Sequence, residues 1–168
     1  MMKILLRITR GINRLSIAIA SLLVVYILCH ILLEITLRLF GFSTYVLDEF
    51  VGYAVATLTF LALGYSLEHE QLIRVSFVLD RLPKTHRWIL DFITSSLATV
   101  FFCWIDTIWW STVSRNFIRG TTSQSLAATP LWVPQGLVLV GISILCVTLI
   151  TRALSLVIYH QPANSGAH

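Results

Sequence analysis

Leu15-Ser16-Ile17-Ala18-Ile19-Ala20-Ser21-Leu22-Leu23-Val24-Val25-Tyr26-Ile27-Leu28-Cys29-His30-Ile31-Leu32-Leu33 runs without a charge until Glu34, and its apolar character continues to Phe40. At ~1.5 Å per residue, a helix over 15–40 is longer than the ~30 Å hydrocarbon layer of a bilayer requires. The stretch reads as a transmembrane helix with its ends among the headgroups. Basic residues precede it, but it is too long for a cleaved signal core and no small-x-small site ends it, so it reads as a retained anchor.

Three further apolar segments follow. The second, about 45–67, has an uncharged core from Phe50 onward and an acidic start, Asp48-Glu49. The third, about 88–113, carries Asp91 near its beginning and Asp106 near its end. The fourth, about 130–159, has no charge before Arg152, and Pro130 and Pro134 stand at its entrance, where a missing amide donor costs least. Composition agrees: 57% of the 168 residues are hydrophobic, 12% are charged and the mean hydropathy is +0.83. Too little polar side chain is present to coat a soluble domain of this size. The reading is a single all-α integral membrane domain of four transmembrane helices over 1–168, with a flexible tail at 160–168. The net charge of +4 does not indicate nucleic acid, because the basic residues flank the apolar segments instead of forming a run.

The basic residues also orient the chain. Nine fall on one side (Lys3, Arg7, Arg10, Arg14, Arg74, Arg81, Lys84, Arg87 and Arg152) and three on the other (Arg38, Arg115 and Arg119). The positive-inside rule places both termini and the middle connection in the cytoplasm. That connection has apolar residues at 75, 78, 79 and 82 on one helical face and ends before Pro83, so a short amphipathic helix over 74–82 is expected in the inner interface. Arg74, Phe77, Arg81, Lys84, Arg87 and Trp88 would anchor it against phospholipid headgroups. The outer connection, 114–129, is rich in Ser, Thr, Asn and Gly and reads as a flexible polar loop. Trp109, Trp110 and Trp132 are expected at the outer interface, and Trp104 is expected to pack deeper.

Charges inside the spans are the sharpest chemical signal. Glu34, Arg38, Glu49 and Asp106, on three helices, share an outer depth, and Glu34 and Arg38 are four residues apart and can pair. Charged groups in a span should face one another, water or another protein. One reading makes the cluster a clamp that fixes helix packing and a partner surface, and the other an ion or proton path. A path should cross the membrane, whereas the inner half offers little besides His30.

No catalytic, substrate-binding or metal-ligating set is evident. Only His30 lies deep in a span, which argues against a haem ligated by facing helices. Cys29, Cys103 and Cys146 lack paired or metal spacing and read as small hydrophobes. No Ser/His/Asp arrangement or glycine-rich phosphate cradle appears. The chain reads as a non-enzyme without a cofactor.

The order of several short motifs resembles that of the small, DctQ-type membrane subunit of tripartite ATP-independent periplasmic (TRAP) transporters. They are Glu34-Ile35-Thr36-Leu37-Arg38-Leu39-Phe40, Asp48-Glu49, Ile73-Arg74-Val75, Asp80-Arg81-Leu82-Pro83 and Pro130-Leu131-Trp132, over roughly residues 4 to 158. Val46 and Leu72 stand where the family often has Trp and His. The resemblance implies that substrate and sodium sites lie on a larger membrane subunit with an elevator-type mechanism, and that a periplasmic binding protein delivers the solute. It implies a scaffold role in the bacterial inner membrane for this chain, in the uptake of organic acids. Apolar faces of the first two helices would pack on the large subunit, and Arg38, Asp48, Glu49, Arg115 and Arg119 are the outer charges available for docking. The alternatives are an independent oligomeric transporter or channel using Glu34 or Asp106, or an anchor subunit of a membrane enzyme.

Overall fold

The computed structural model describes residues 2–69 and 84–159. They form four helices: α1 (Met2–Leu39), α2 (Leu47–Glu68), α3 (Lys84–Arg119) and α4 (Trp132–Tyr159). Each contains a segment long and apolar enough to cross a membrane. The expected interfacial helix at 74–82 and the tail at 160–168 lie outside the described residues, so Arg74, Phe77 and Arg81 are not placed. Lys84, Arg87 and Trp88 stand in the opening turns of α3.

The chain runs up and down. One end of the bundle, the terminal end, holds the start of α1, the end of α2, the start of α3 and the end of α4. The other, the hairpin end, holds the α1–α2 turn and the α3–α4 loop. In lateral order the helices stand α1, α2, α4, α3, with α4 also touching α1. α4 is therefore the central element. Half of its most apolar 18 residues are buried, against 6% for α3. Ile142, Leu145, Leu149 and Leu156 form its covered stripe, and Ala56 and Phe60 of α2 pack against Val138, Ile142 and Cys146.

Close approach of α2 and α4 depends on Gly141. A Cβ there would lie 2.8 Å from the Phe60 Cβ and 3.0–3.1 Å from the backbone of Phe60 and Leu61. Small residues at such crossings let helices gain dispersion contact in lipid, where no hydrophobic drive between helices exists. The outer helices show the opposite character. Ile4, Ile8, Leu15, Ile19 and Leu22 of α1 and Ile93, Leu97, Val100, Trp104 and Ile108 of α3 are exposed at helical spacing. On α2, Val55 is the one large hydrophobic residue exposed, so that helix offers little apolar surface outward.

Helix ends follow local rules, and two differ from the sequence reading. α1 extends well before residue 15, because Thr9, Asn13 and Ser16 continue the face that packs inward. α3 continues to Arg119, so the polar connection begins at Gly120, not at Ser114. Both α1 and α3 stop in the same motif. Phe42 N–H donates to Leu37 O and Gly41 N–H to Arg38 O, while Thr121 N–H donates to Asn116 O and Gly120 N–H to Phe117 O. Gly41 (φ 80°) and Gly120 (φ 60°) supply the left-handed residue that this motif needs. α2 opens with Asp48 and Glu49 in its first turn, the sign that the helix dipole favours.

Candidate functional site

The Gly41 turn sends the chain back along α1 and brings Ser43 and Thr44 over Glu34. That carboxylate is 1% exposed and accepts four hydrogen bonds: from Ser43 Oγ (2.5 Å), Thr44 Oγ1 (2.6 Å), Thr44 N (3.1 Å) and Arg38 Nε (3.1 Å). Glu34 thus serves as the internal staple of the α1–α2 turn. The guanidinium of Arg38 remains largely exposed.

Glu49 has a different task. It accepts from Tyr53 Oη at 2.9 Å and from Ser125 Oγ, a residue of the α3–α4 loop. The loop is built rather than slack. Ser123 N donates to Thr129 O at 2.8 Å, Thr122 and Pro130 form a bridge, and Leu131 N closes on Thr121 O at 3.0 Å. The sequence reading of a flexible loop missed this closure, since it depends on pairing across the loop. Asp106 lies farther from this end and accepts from Ser143 Oγ of α4 at 3.1 Å. Asn116 Nδ2 donates to Gln135 Oε1 (2.6 Å) and Trp109 Nε1 to Gln135 O (3.0 Å), joining α3 to the first turn of α4.

The four charges expected at one level therefore divide into three local sets. Glu34 pairs with Arg38, Glu49 holds the loop and Asp106 holds α4. Among the described residues no hydrogen bond or ion pair links these sets. Arg38, Asp48, Arg115 and Arg119 are exposed, whereas Glu49 is committed to internal partners. Trp109 is partly buried against the first turn of α4 near the hairpin end, and Trp104, expected to pack, is 61% exposed on the outward face of α3. His30 is hydrogen bonded to Tyr26 Oη at 3.0 Å and stacks near Phe50.

The half of the bundle at the terminal end is more polar than the sequence reading allowed. At the terminal end Asn13, 0% exposed, donates to Glu68 Oε2 (2.7 Å) and accepts from Thr148 Oγ1 (3.2 Å). Arg10 Nε lies 3.3 Å from Glu68 Oε1, and the hydroxyls of Thr9 and Thr151 meet at 3.3 Å. Arg152 donates to Leu67 O (3.2 Å), satisfying an end carbonyl of α2, and lies 3.9 Å from Asp91 of α3. All four helices meet in this seam. Thr9, Asn13 and Ser16, and likewise Thr148, Thr151 and Ser155, recur at helical spacing, which is the signal that could have revealed it.

The two levels are separated by about one hydrocarbon thickness. Asn13 and Glu34 are 21 residues apart on α1, about 31 Å at ~1.5 Å per residue, close to the ~30 Å hydrocarbon thickness. Among the described residues no buried side-chain nitrogen or oxygen lacks a hydrogen-bond partner. The arrangement ties the helices to one another at two separated levels.

Residues 27–158 match the family model "Tripartite ATP-independent periplasmic transporters, DctQ component". No curated protein and no solved structure matches the chain. The matched region holds α2, α3, most of α4 and the last third of α1, including Glu34, Glu49 and Asp106. The family is one of transporter components, not of enzymes. The chain belongs to the DctQ family and is the small multi-pass membrane subunit of a tripartite transporter, acting in association with the other components of that system.

Proposed function

We propose that this subunit is the fixed membrane support of a sodium-coupled importer of organic acids. In this reading it sits in the bacterial inner membrane with both termini cytoplasmic, holds the large membrane subunit, and contributes to docking of the periplasmic binding protein at its hairpin end. The observation that carries the proposal is the use made of the carboxylates within the spans. Glu34, Glu49 and Asp106 are each engaged with fixed neighbours in this chain. A carrier or ion path needs polar groups that exchange partners during transport, and a support needs groups that do not.

Exposed apolar faces lie on α1, on α3 and on the outward side of α4 (Leu137, Val140, Val147, Leu154), and the large subunit would cover part of the α1 face. α2, expected to share that role, turns its apolar side mainly toward α1 and α4. Arg38, Asp48, Arg115 and Arg119 remain as surface charges for the binding protein.

The test is copurification of the tagged full-length chain with the large membrane subunit, followed by transport in proteoliposomes. Uptake should require both subunits and the binding protein. Uptake by this chain alone would refute the support role. Glu34→Gln, Glu49→Gln and Asp106→Asn, made separately, should change assembly or stability before they change ion coupling. Binding-protein affinity should fall with salt and weaken in Arg115→Glu plus Arg119→Glu; unchanged affinity removes those two residues from docking.

A further inference from the structure

The first four turns of α1 carry three distinct faces. Thr9, Asn13 and Ser16 face inward and are 5%, 0% and 2% exposed. Ile4, Ile8 and Leu15 form a second, outward stripe and are 65%, 54% and 65% exposed. Arg7, Arg10 and Arg14 form a third; at ~100° per residue they fall within about 60° of one another, and all three are exposed. Their positions span about 10 Å along the axis.

Among the described residues, nearby acids reach only one member of this stripe, Arg10. Glu68 is engaged by Arg10 and Asn13, and Asp91 lies beside Arg152. Arg7 and Arg14 have no ion-pair or hydrogen-bond partner among the described residues. The stripe stands at the boundary level marked by Asn13 and Glu68, next to apolar side chains that face outward. It also lies outside the region matched by the family model, which begins at residue 27.

We infer that the Arg7, Arg10 and Arg14 face of α1 is a binding surface for the phosphoryl headgroups of anionic phospholipids, with acyl chains against Ile4, Ile8 and Leu15. A guanidinium binds phosphate oxygens through paired N–H donors, which suits it to a headgroup better than a point charge. The apolar stripe beside it selects a lipid over a soluble anion. The bound lipid would hold the extended start of α1 at the membrane surface while its inward face stays locked to α4.

The experiment is native mass spectrometry of the full-length chain in detergent, titrated with phosphatidylglycerol or with phosphatidylcholine of the same chains. Phosphatidylglycerol should bind more tightly, and the preference should shrink as salt rises. Arg7→Gln plus Arg14→Gln should weaken phosphatidylglycerol about fivefold for each charge removed, from ~1 kcal/mol per basic residue near a headgroup. Phosphatidylcholine binding should be unchanged, and Arg7→Lys plus Arg14→Lys should retain most of the preference. Arg115→Gln plus Arg119→Gln, at the opposite end, should have no effect. Equal binding of the two lipids, or a preference that survives in a folded Arg7→Gln plus Arg14→Gln variant, overturns the inference. So does displacement of the lipid by inorganic phosphate beyond that by chloride at equal ionic strength, which would identify a site for soluble anions. The salt series on the unaltered chain decides the matter even if the glutamine variant does not fold.

Discussion

Replacing Gly141 by alanine and Gly136 by alanine should have opposite effects, although both lie on α4 only five residues apart. Each substitution improves intrinsic helix propensity, by up to about 1 kcal/mol. At Gly136 a Cβ meets nothing within 4 Å, so that gain stands alone. At Gly141 the new Cβ would lie 2.8 Å from the Phe60 Cβ, 3.0 Å from the Phe60 carbonyl carbon and 3.1 Å from the Leu61 nitrogen. Normal contact needs roughly 3.5–4.0 Å, so α2 and α4 must separate or shear. Two of the three atoms are backbone, and no rotamer change can move them away. The cost should approach the upper end of the usual overpacking range, about 3 kcal/mol. After the propensity gain, Gly141→Ala should lose about 2 kcal/mol, whereas Gly136→Ala should gain up to about 1 kcal/mol. Reversible unfolding of the purified chain in mixed micelles of increasing SDS fraction measures both. A Gly141→Ala variant as stable as the parent would show that α2 and α4 do not cross closely at Phe60.

Other parts of the bundle can be tested in the same assay. Asn13→Ala should cost roughly 1–2 kcal/mol, the scale of interhelical hydrogen bonds in membranes, and Asn13→Asp should cost more at neutral pH, because its carboxylate would face that of Glu68; equal stability of the two removes Asn13 from contact with Glu68. In a double-mutant cycle Ser125→Ala and Glu49→Gln should be non-additive, and each alone should speed amide exchange at Ser123 and Leu131; additive effects would mean that Glu49 does not hold the loop. Thermal stability should fall most in Glu34→Ala, less in Glu34→Gln and least in Arg38→Gln, since an amide keeps an acceptor for the Thr44 amide while the exposed arginine can be replaced by water; a different order contradicts the stapled turn. Asp106→Asn plus Asn116→Ala should accelerate exchange in α3 while leaving α1 and α2 protected, and uniform acceleration would refute α3 as a separable outer helix.

How much of this was readable in the sequence follows from which coordinate each feature depends on. Depth is carried by distance along the chain, so the four spans and the i, i+4 pairing of Glu34 with Arg38 were legible. Direction around a helix was not. Trp104 and Trp109 differ by about 140° at ~100° per residue, and only packing against α4 decides that Trp109 turns inward. Glu34, Glu49 and Asp106 were placed at a similar depth, yet they face different neighbours and never form one cluster. Asn13, Glu68 and Thr148 escaped for a related reason: their partners are 55 and 135 residues apart in sequence. Glu68 also lay just beyond the apolar core by which the second span was recognised. The apolar run begins at Leu15 behind a basic flank, whereas the inward face at Thr9 and Asn13 carries the helix itself back to Met2.

The position of α4 explains why polar contacts are concentrated at the two boundaries. α4 touches every other helix, and its central covered face is apolar, with Ile142, Leu145 and Leu149 against α2 and its neighbours. Apolar packing alone leaves helices free to slide or rotate in lipid, because the surrounding chains are as apolar as the contacts they would replace. The Asn13 seam and the hairpin-end contacts of Glu34, Glu49 and Gln135 remove that freedom at levels about one hydrocarbon thickness apart. Two separated sets of directional bonds fix register and tilt together, where a single central set would leave a pivot. The proposed role as a support beside a moving subunit would require that rigidity, and the outward faces of α1, α3 and α4 remain available for lipid and partner contact.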